Sequence, residues 1–254
     1  MILVIGGTSE GRIISAGLAA RGARVLVSTA TDFGAELAAS GGVEAVHGRL
    51  DLDGMTQLIV SRGVRTLVDA SHPFAAEVTK NAAGACARTG CRYIRYARPE
   101  SQKIDHPRAI WADSYENAAE KAFEAGKTVF LTTGSKTAQL FIKKAARAGG
   151  RVIIRLLPDP AAISRLIESG VSPPDIVAMS GPFSEEMNIA LLKHYRPDVV
   201  VTKDSGGAGG FVEKVSAAAA LGIPVIILRR PPEPGGAVCS IAGAVDLALL
   251  ENKK

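Results

Sequence analysis

The chain reads as an α/β protein of two domains, each a parallel sheet flanked by helices. Three observations predict this. Short apolar, β-branched runs recur along the chain and alternate with segments of helical period. Glycines stand where several of those helical segments should stop. The alternation lapses between Arg98 and Arg108, in RPESQKIDHPR, and a second series of similar length follows.

The first series of strands is ILVIG (Ile2 to Gly6), RVLVST (Arg24 to Thr29), VEAVHG (Val43 to Gly48), TLVDAS (Thr66 to Ser71) and RYIRYA (Arg92 to Ala97). Helices are expected from Glu10 to Arg21, Asp32 to Ser40, Leu52 to Ser61 and Phe74 to Thr89, stopped by Gly22, Gly41, Gly63 and Gly90. The second series is AIWA (Ala109 to Ala112), TVFLTTG (Thr128 to Gly134), RVIIRLL (Arg151 to Leu157), DIVAMSG (Asp175 to Gly181), DVVVTKDSGG (Asp198 to Gly207) and PVIILRR (Pro224 to Arg230). Its helices should cover Tyr115 to Ala125, Lys136 to Ala148, Ala161 to Glu168, Glu185 to His194 and Val212 to Leu221, with a last one near Val245. Residues 1–98 are therefore expected as the first domain and residues 99–254 as the second, with a cleft between them.

Composition narrows the classes of function. With 254 residues, 47% of them hydrophobic and 22% charged, the chain can bury a sizeable core. Cys86, Cys91 and Cys239 form no Cys-x-x-Cys pair, which fits a reducing cytoplasm. The apolar start is a strand broken by glycine rather than a signal peptide, and the stretch Ala217 to Leu228 is interrupted by Gly222 and Pro224, so no membrane role is expected. The net charge of +5 is scattered rather than gathered in a block, and aromatic residues make up only 5%, so nucleic acid is not expected either. The basicity suits a small polyanion instead. Without a His-Glu-x-x-His or Cys-His cluster, no bound metal is expected.

In parallel sheets ligands bind at the carboxyl ends of the strands. GGTSEG (Gly6 to Gly11) sits where a dinucleotide loop belongs, but Thr8 holds the second glycine position of G-x-G-x-x-G. Gly6 and Gly7 then serve either a phosphate or a tight turn, and Ser9 is expected as the helix N-cap. The second strand ends in Ser28, Thr29, Ala30 and Thr31 with Asp32 just beyond, offering neither a clean acidic partner for a ribose 2′-hydroxyl nor an arginine for a 2′-phosphate. After the fourth strand, Ser71 and Pro73 suit a helix start, while His72 can reach a ligand or merely a backbone carbonyl. TTGSK offers Thr132, Thr133, Ser135 and Lys136 as an anion nest, or Ser135 as a cap. TKDSGGAGG offers Lys203, Ser205 and Gly206, with Asp204 expected to steady Lys203, and its glycines suit close backbone approach or a hinge. Arg95, Arg98, Arg155, Arg229 and Arg230 also lie at strand ends, and Phe74, Phe183 and Phe211 follow strands as ring-face or core residues.

Taken together, GGTSEGR, VSTATDFGAEL, GRLDLDGMTQLI, VDASHPFAAEVTKNA, YIRYARPE, LTTGSK and TKDSGGAGGFVEKVSAAAALGIPVIIL resemble the precorrin-6A reductase family of corrin biosynthesis, in the same order over nearly the whole chain. The resemblance implies two Rossmann-like domains and reduction of the C18–C19 double bond of a corrin precursor by a nicotinamide cofactor. STATDFG, GRLD and DGM look more like the branch acting on cobalt-precorrin-6A than that acting on precorrin-6A, and that branch implies NADH, with NADPH as the alternative. On this likeness Gly6, Gly7, Thr8, Ser9, Ser28, Thr29 and Ser71 hold the cofactor, with a Thr8 hydroxyl for phosphate. Arg95, Arg98, Thr133, Lys136, Lys203, Ser205 and Gly206 hold the tetrapyrrole, and His72 donates a proton or touches substrate. Other corrin-pathway enzymes are implied as partners that receive the product. Two other classes stay open: a different Rossmann enzyme such as a methyltransferase, and a non-catalytic nucleotide sensor.

Overall fold

The computed structural model describes residues 1–30, 34, 35, 39, 42–99, 106–233 and 235–253. The chain divides into two units, one of residues 1–99 with 231–254 and one of residues 100–230.

The first unit is built on β1 (Ile2–Ile5), β2 (Val25–Thr29), β3 (Glu44–His47), β4 (Thr66–Asp69) and β5 (Arg92–Arg95), all parallel, in the order β3-β2-β1-β4-β5. Both faces of the sheet are covered at its centre, so β1 is apolar throughout and buried, whereas the edge strands β3 and β5 carry exposed Glu44, His47 and Arg92. Ile2 and Val4 of β1 point to one side, with α1 (Ser9–Ala20) contributing Ile14 and Leu18. Leu3 and Ile5 point to the other, against Met55 and Ile59 of α2 (Leu52–Arg62) and Ala82, Ala85 and Cys86 of α3 (Ala76–Thr89). Gly63 and Gly90 end α2 and α3 in the left-handed region, as their positions predict. The helix expected from Asp32 to Ser40 falls largely outside the described residues, as does most of the expected linker.

The expected second domain of residues 99–254 is corrected at its C-terminal end, because the segment from Pro231 onward belongs to the first unit. Pro231, Pro232, Gly235 and Gly236 make a second linker as rich in chain breakers as the first. Val238 then pairs alongside β5, accepting from Ala97 N at 3.0 Å and donating to Arg95 O at 2.8 Å. The following helix, α9 (Ile241–Lys253), buries Ala244, Val245 and Ala248 in the core shared with α1. An added Cβ at Gly17 of α1 would stand 3.4 Å from Val245 Cγ2, so the two helices pack closely.

The second unit contains β6 (Ala109–Ala112), β7 (Thr128–Leu131), β8 (Arg151–Leu156), β9 (Ile176–Ala178), β10 (Val199–Lys203) and β11 (Val225–Leu228), parallel and ordered β6-β11-β10-β7-β8-β9. Its helices are α4 (Tyr115–Ala125), α5 (Ala138–Ala148), α6 (Pro160–Glu168), α7 (Glu185–Tyr195) and α8 (Phe211–Ala220). Phe130, Ile153 and Val200 of the sheet meet Leu192 of α7 and Phe211 and Val215 of α8 in one buried cluster. His106 is buried, with Nε2 on Ile223 O and Nδ1 accepting from Arg108 N at 3.0 Å.

Candidate active site

In the first unit the chain moves from β1 outward to β2 and β3 on one side and to β4 and β5 on the other, so the carboxyl ends of β1 and β4 frame a topological switch point. The loop after β1 is shaped by close packing. An added Cβ at Gly6 would lie 2.8 Å from Val27 Cγ1, and Gly6 N donates to Ser28 O at 2.8 Å. At Gly11 an added Cβ would stand 3.2 Å from Gly6 Cα, so this glycine lets α1 press against the turn. Gly7 adopts φ +90° with open space around it, a conformation that glycine supplies without strain.

Thr8, the residue that breaks the glycine fingerprint, is the N-cap of α1 in place of Ser9. Its Oγ1 accepts from Gly11 N at 3.0 Å and donates to Ala70 O at 2.8 Å, joining the loops after β1 and β4. That use of both hydroxyl functions corrects the expectation of a Thr8 hydroxyl offered to phosphate. Ser9 is the first helical residue instead, donating to Glu10 Oε2 at 3.1 Å. The amides at the start of α1, together with open Gly7, fit a dinucleotide through the backbone. Ser28 and Thr29 are buried at the end of β2, and Thr31 and Asp32 lie outside the described residues.

Two of the arginines assigned to substrate have partners inside the protein. Arg95 is 4% exposed and donates from Nε and Nη2 to the two oxygens of Glu233 at 2.8 and 3.1 Å. Its Nη1 lies 3.1 Å from Oδ1 of the fully buried Asp69 and also reaches Ser71 Oγ at 3.1 Å. Asp69 further accepts from Ser71 N at 3.0 Å and Tyr93 Oη at 2.9 Å, and burial followed by the nearby carboxylate pushes the Tyr93 phenol above its ordinary value. Arg98 is paired with buried Glu10, Nη2 to Oε2 at 2.9 Å. Both arginines therefore brace the first unit. Glu233, in the returning segment, and Glu10 were not singled out by sequence reasoning.

The start of α3 also differs from expectation. It begins at Ala76 rather than Phe74, and Ala75 precedes it without a side-chain cap. Ser71 contacts Arg95 and Thr79 Oγ1 instead of capping. His72 Nδ1 accepts from Phe74 N at 3.2 Å, which in the neutral ring leaves the proton on Nε2.

In the second unit the corresponding switch point lies between β7 and β10, and it brings TTGSK and TKDSGG to neighbouring strand ends. Thr132 Oγ1 donates to Val201 O at 2.9 Å, and Thr133 is buried. The helix expected from Lys136 starts at Ala138, behind Thr137, without a side-chain cap from Ser135. Gly206 and Gly210 adopt φ +76° and +62°, the backbone shape that their run of glycines permits. Asp204 Oδ1 accepts from Arg230 Nη2 at 3.0 Å. Burial, then repulsion from Lys136, lowers Lys203 to about 8, so these two side chains share one electrostatic environment.

Arg155 on β8 is buried, donates to Asn188 Oδ1 at 2.8 Å and lies 4.6 Å over the Phe183 ring; burial lowers it to about 10. Lys214 was missed by sequence reasoning because a lysine inside a helical segment reads as a solvent-facing charge. Burial, followed by repulsion from Arg155 and Lys203, lowers it to about 7. A shallow depression lined by Arg65, Cys86, Cys91, Arg92 and Glu251 carries none of these strand-end loops. Among the described residues no group of three or more His, Cys, Asp or Glu could hold a metal ion, and no helix is long and apolar enough to cross a membrane.

The Precorrin-6x reductase CbiJ/CobK family model matches residues 1–248. The chain belongs to this family. It is 38% identical over 255 residues to a cobalt-precorrin-6A reductase of Priestia megaterium, covering all of both chains. It is 34% identical over 256 residues to a precorrin-6A reductase of Rhodococcus erythropolis, covering 96% of this chain and 95% of that one. A solved CobK precorrin-6A reductase superposes with a TM-score of 0.80 at 26% identity, covering 98% of this chain and 96% of that one. As a precorrin-6x reductase the chain is an oxidoreductase of cobalamin biosynthesis that works with a nicotinamide cofactor.

Proposed function

We propose that this reductase saturates the C18–C19 double bond of cobalt-precorrin-6A, with NADH as donor and precorrin-6A and NADPH as the alternatives to be compared. The observation that carries the reading is the glycine-shaped turn from Gly6 to Gly11 at the β1–β4 switch point of a family member. Bound nicotinamide supplies a hydride to one carbon of the double bond, and a proton must reach the other. Backbone at Gly6, Gly7, Thr8 and Ser9, with Ser28, Thr29 and Ser71 nearby in the fold, holds the cofactor in this reading. NADH is favoured because β2 ends in Ser28 and Thr29, followed by Ala30, without an arginine for a 2′-phosphate.

His72 is assigned the proton, since its Nε2 carries one when Nδ1 accepts from Phe74. Thr133, Lys136, Lys203, Ser205 and Gly206 are assigned to the acidic tetrapyrrole. The same reading places the enzyme in the cytoplasm, passing its product to the next corrin-pathway enzyme. Rates with NADH and NADPH, each against cobalt-precorrin-6A and precorrin-6A, test the donor and substrate together. A higher kcat/KM with NADPH reverses the donor assignment, and an unchanged rate in His72→Ala removes His72 from the mechanism.

A further inference from the structure

In the loop after β4, the backbone groups of Ala70 and Ser71 are all engaged within the first unit. Ala70 N donates to Ile5 O at 3.2 Å, and Ser71 N donates to Asp69 Oδ1 at 3.0 Å. Ala70 O accepts from Thr8 Oγ1 at 2.8 Å, and Ser71 O accepts from Arg95 Nη1 at 3.2 Å. Ser71 keeps only its hydroxyl, and Arg95 Nη1 donates to that oxygen too, at 3.1 Å. An arginine can only donate, so this contact leaves Ser71 its hydroxyl hydrogen to give. Thr79 Oγ1 of α3 faces the same hydroxyl at 3.3 Å, longer than the usual bond between two hydroxyls, so that hydrogen is not committed to it.

The aim of Nη1 is set from the opposite edge of the guanidinium. Nε and Nη2 donate to the two oxygens of Glu233 at 2.8 and 3.1 Å, and a planar fork gripped on that edge has its Nη1 fixed in direction. Asp69, fully buried and 3.1 Å from Nη1, already supplies a carboxylate for the cation. A second carboxylate is not needed for neutrality; what it adds is direction. Glu233 lies 138 residues beyond Arg95, in the segment that returns to the first unit. That segment is anchored at the same arginine, because Val238 N donates to Arg95 O at 2.8 Å.

We infer that Glu233 and Arg95 are positioning residues for the reduction, acting through Ser71 to hold its hydroxyl as a donor toward an acceptor oxygen of the nicotinamide cofactor. This rests on the assignment of Ser71 to the cofactor. Glu233 orients the guanidinium, the guanidinium occupies the acceptor side of the hydroxyl, and the hydroxyl hydrogen is left for the ligand. The returning C-terminal segment is thereby a working part of the cofactor site, although its sequence follows the whole second unit.

Fluorescence titration of the full chain with NADH and with NADPH, without tetrapyrrole, tests the relay through a double-mutant cycle. For the tighter of the two, Ser71→Ala should weaken binding about fivefold, the loss of one hydrogen bond. Glu233→Gln keeps the size of the side chain but not the two-acceptor grip. It should weaken binding about threefold in the wild-type background and no further in Ser71→Ala. Arg95→Lys, which keeps a cation beside Asp69 but loses the planar fork, is the second variant and should follow the same pattern. Residues with a merely structural role would weaken binding by the same factor in both backgrounds. Glu233→Gln and Arg95→Lys that bind as the wild type does, or that add their full loss to that of Ser71→Ala, overturn the positioning role and leave Ser71 with the cofactor. Wild-type affinity in Ser71→Ala removes Ser71 from the cofactor and overturns the relay with it. A wild-type chain that binds neither nicotinamide sinks the cofactor reading itself.

Discussion

Replacing Arg95 with Met separates a bracing arginine from a substrate-binding one. The substitution strands Asp69, which is fully buried, and releases Glu233 from a two-point contact. Removing one partner of a buried ion pair costs about 3–5 kcal/mol. Asp69 keeps hydrogen bonds from Ser71 N and Tyr93 Oη, which places the expected loss near the lower end, about 3 kcal/mol. For a unit of this size that lowers the melting temperature by about 10 °C. Because Glu233 lies in the returning segment, the first unit should also lose hold of its C-terminal extension, visible as faster hydrogen exchange at Ala97 N and Val238 N, which join that segment to β5. Scanning calorimetry and exchange on the full chain measure both effects. Arg95→Lys should recover only part of the loss, since an ammonium cannot reproduce the two-point contact with Glu233. A variant Arg95→Met that melts like the wild type but shows a raised KM for the tetrapyrrole would refute the bracing role and restore Arg95 to the substrate.

Thr8→Ala should cost about 1–2 kcal/mol in urea denaturation through loss of the α1 cap and the bond to Ala70 O, whereas Thr8→Ser should retain most of the stability. Gly11→Ala pushes a methyl group to 3.2 Å from Gly6 Cα, so nicotinamide titration should show weaker binding, and an unchanged Kd would remove the close packing of α1 from the cofactor site. The lowered lysines also set a sign for stability against pH. Lys203 and Lys214 hold fewer protons folded than unfolded between about 7 and their ordinary 10.5, so the free protein should gain stability as pH rises through that window and lose the gain below it. The gain is at most about 1.4 kcal/mol per lysine for each tenfold fall in proton concentration, and urea midpoints that stay flat or decline from pH 7 to 9 contradict it.

The alternation of β-branched runs and helical segments made both sheets legible, because the inner strands are largely buried and announce themselves in four to six residues. The strand-end loops were legible for the same reason: parallel topology dictates where they gather. What the sequence could not show were long-range partnerships. Arg95 and Arg98 stand at a strand end and just beyond it as free charges would, and only folding brings Glu233 and Glu10 to them. The return of α9 to the first unit depends on Val245 finding the space beside Gly17, a fit no local pattern carries. Lys214 was hidden differently, since burial beside Arg155 and Lys203 converts an ordinary helical lysine into a group that titrates near neutrality.

The most direct test of the reductase account follows the hydrogen itself. Cobalt-precorrin-6A and nicotinamide carrying deuterium at its transferable position are incubated with the enzyme, and the tetrapyrrole is weighed by mass spectrometry. The account predicts that the product gains a deuterium from the nicotinamide and a hydrogen from solvent, in step with loss of the reduced nicotinamide. A product without deuterium, or a tetrapyrrole unchanged while every nicotinamide remains reduced, would contradict it.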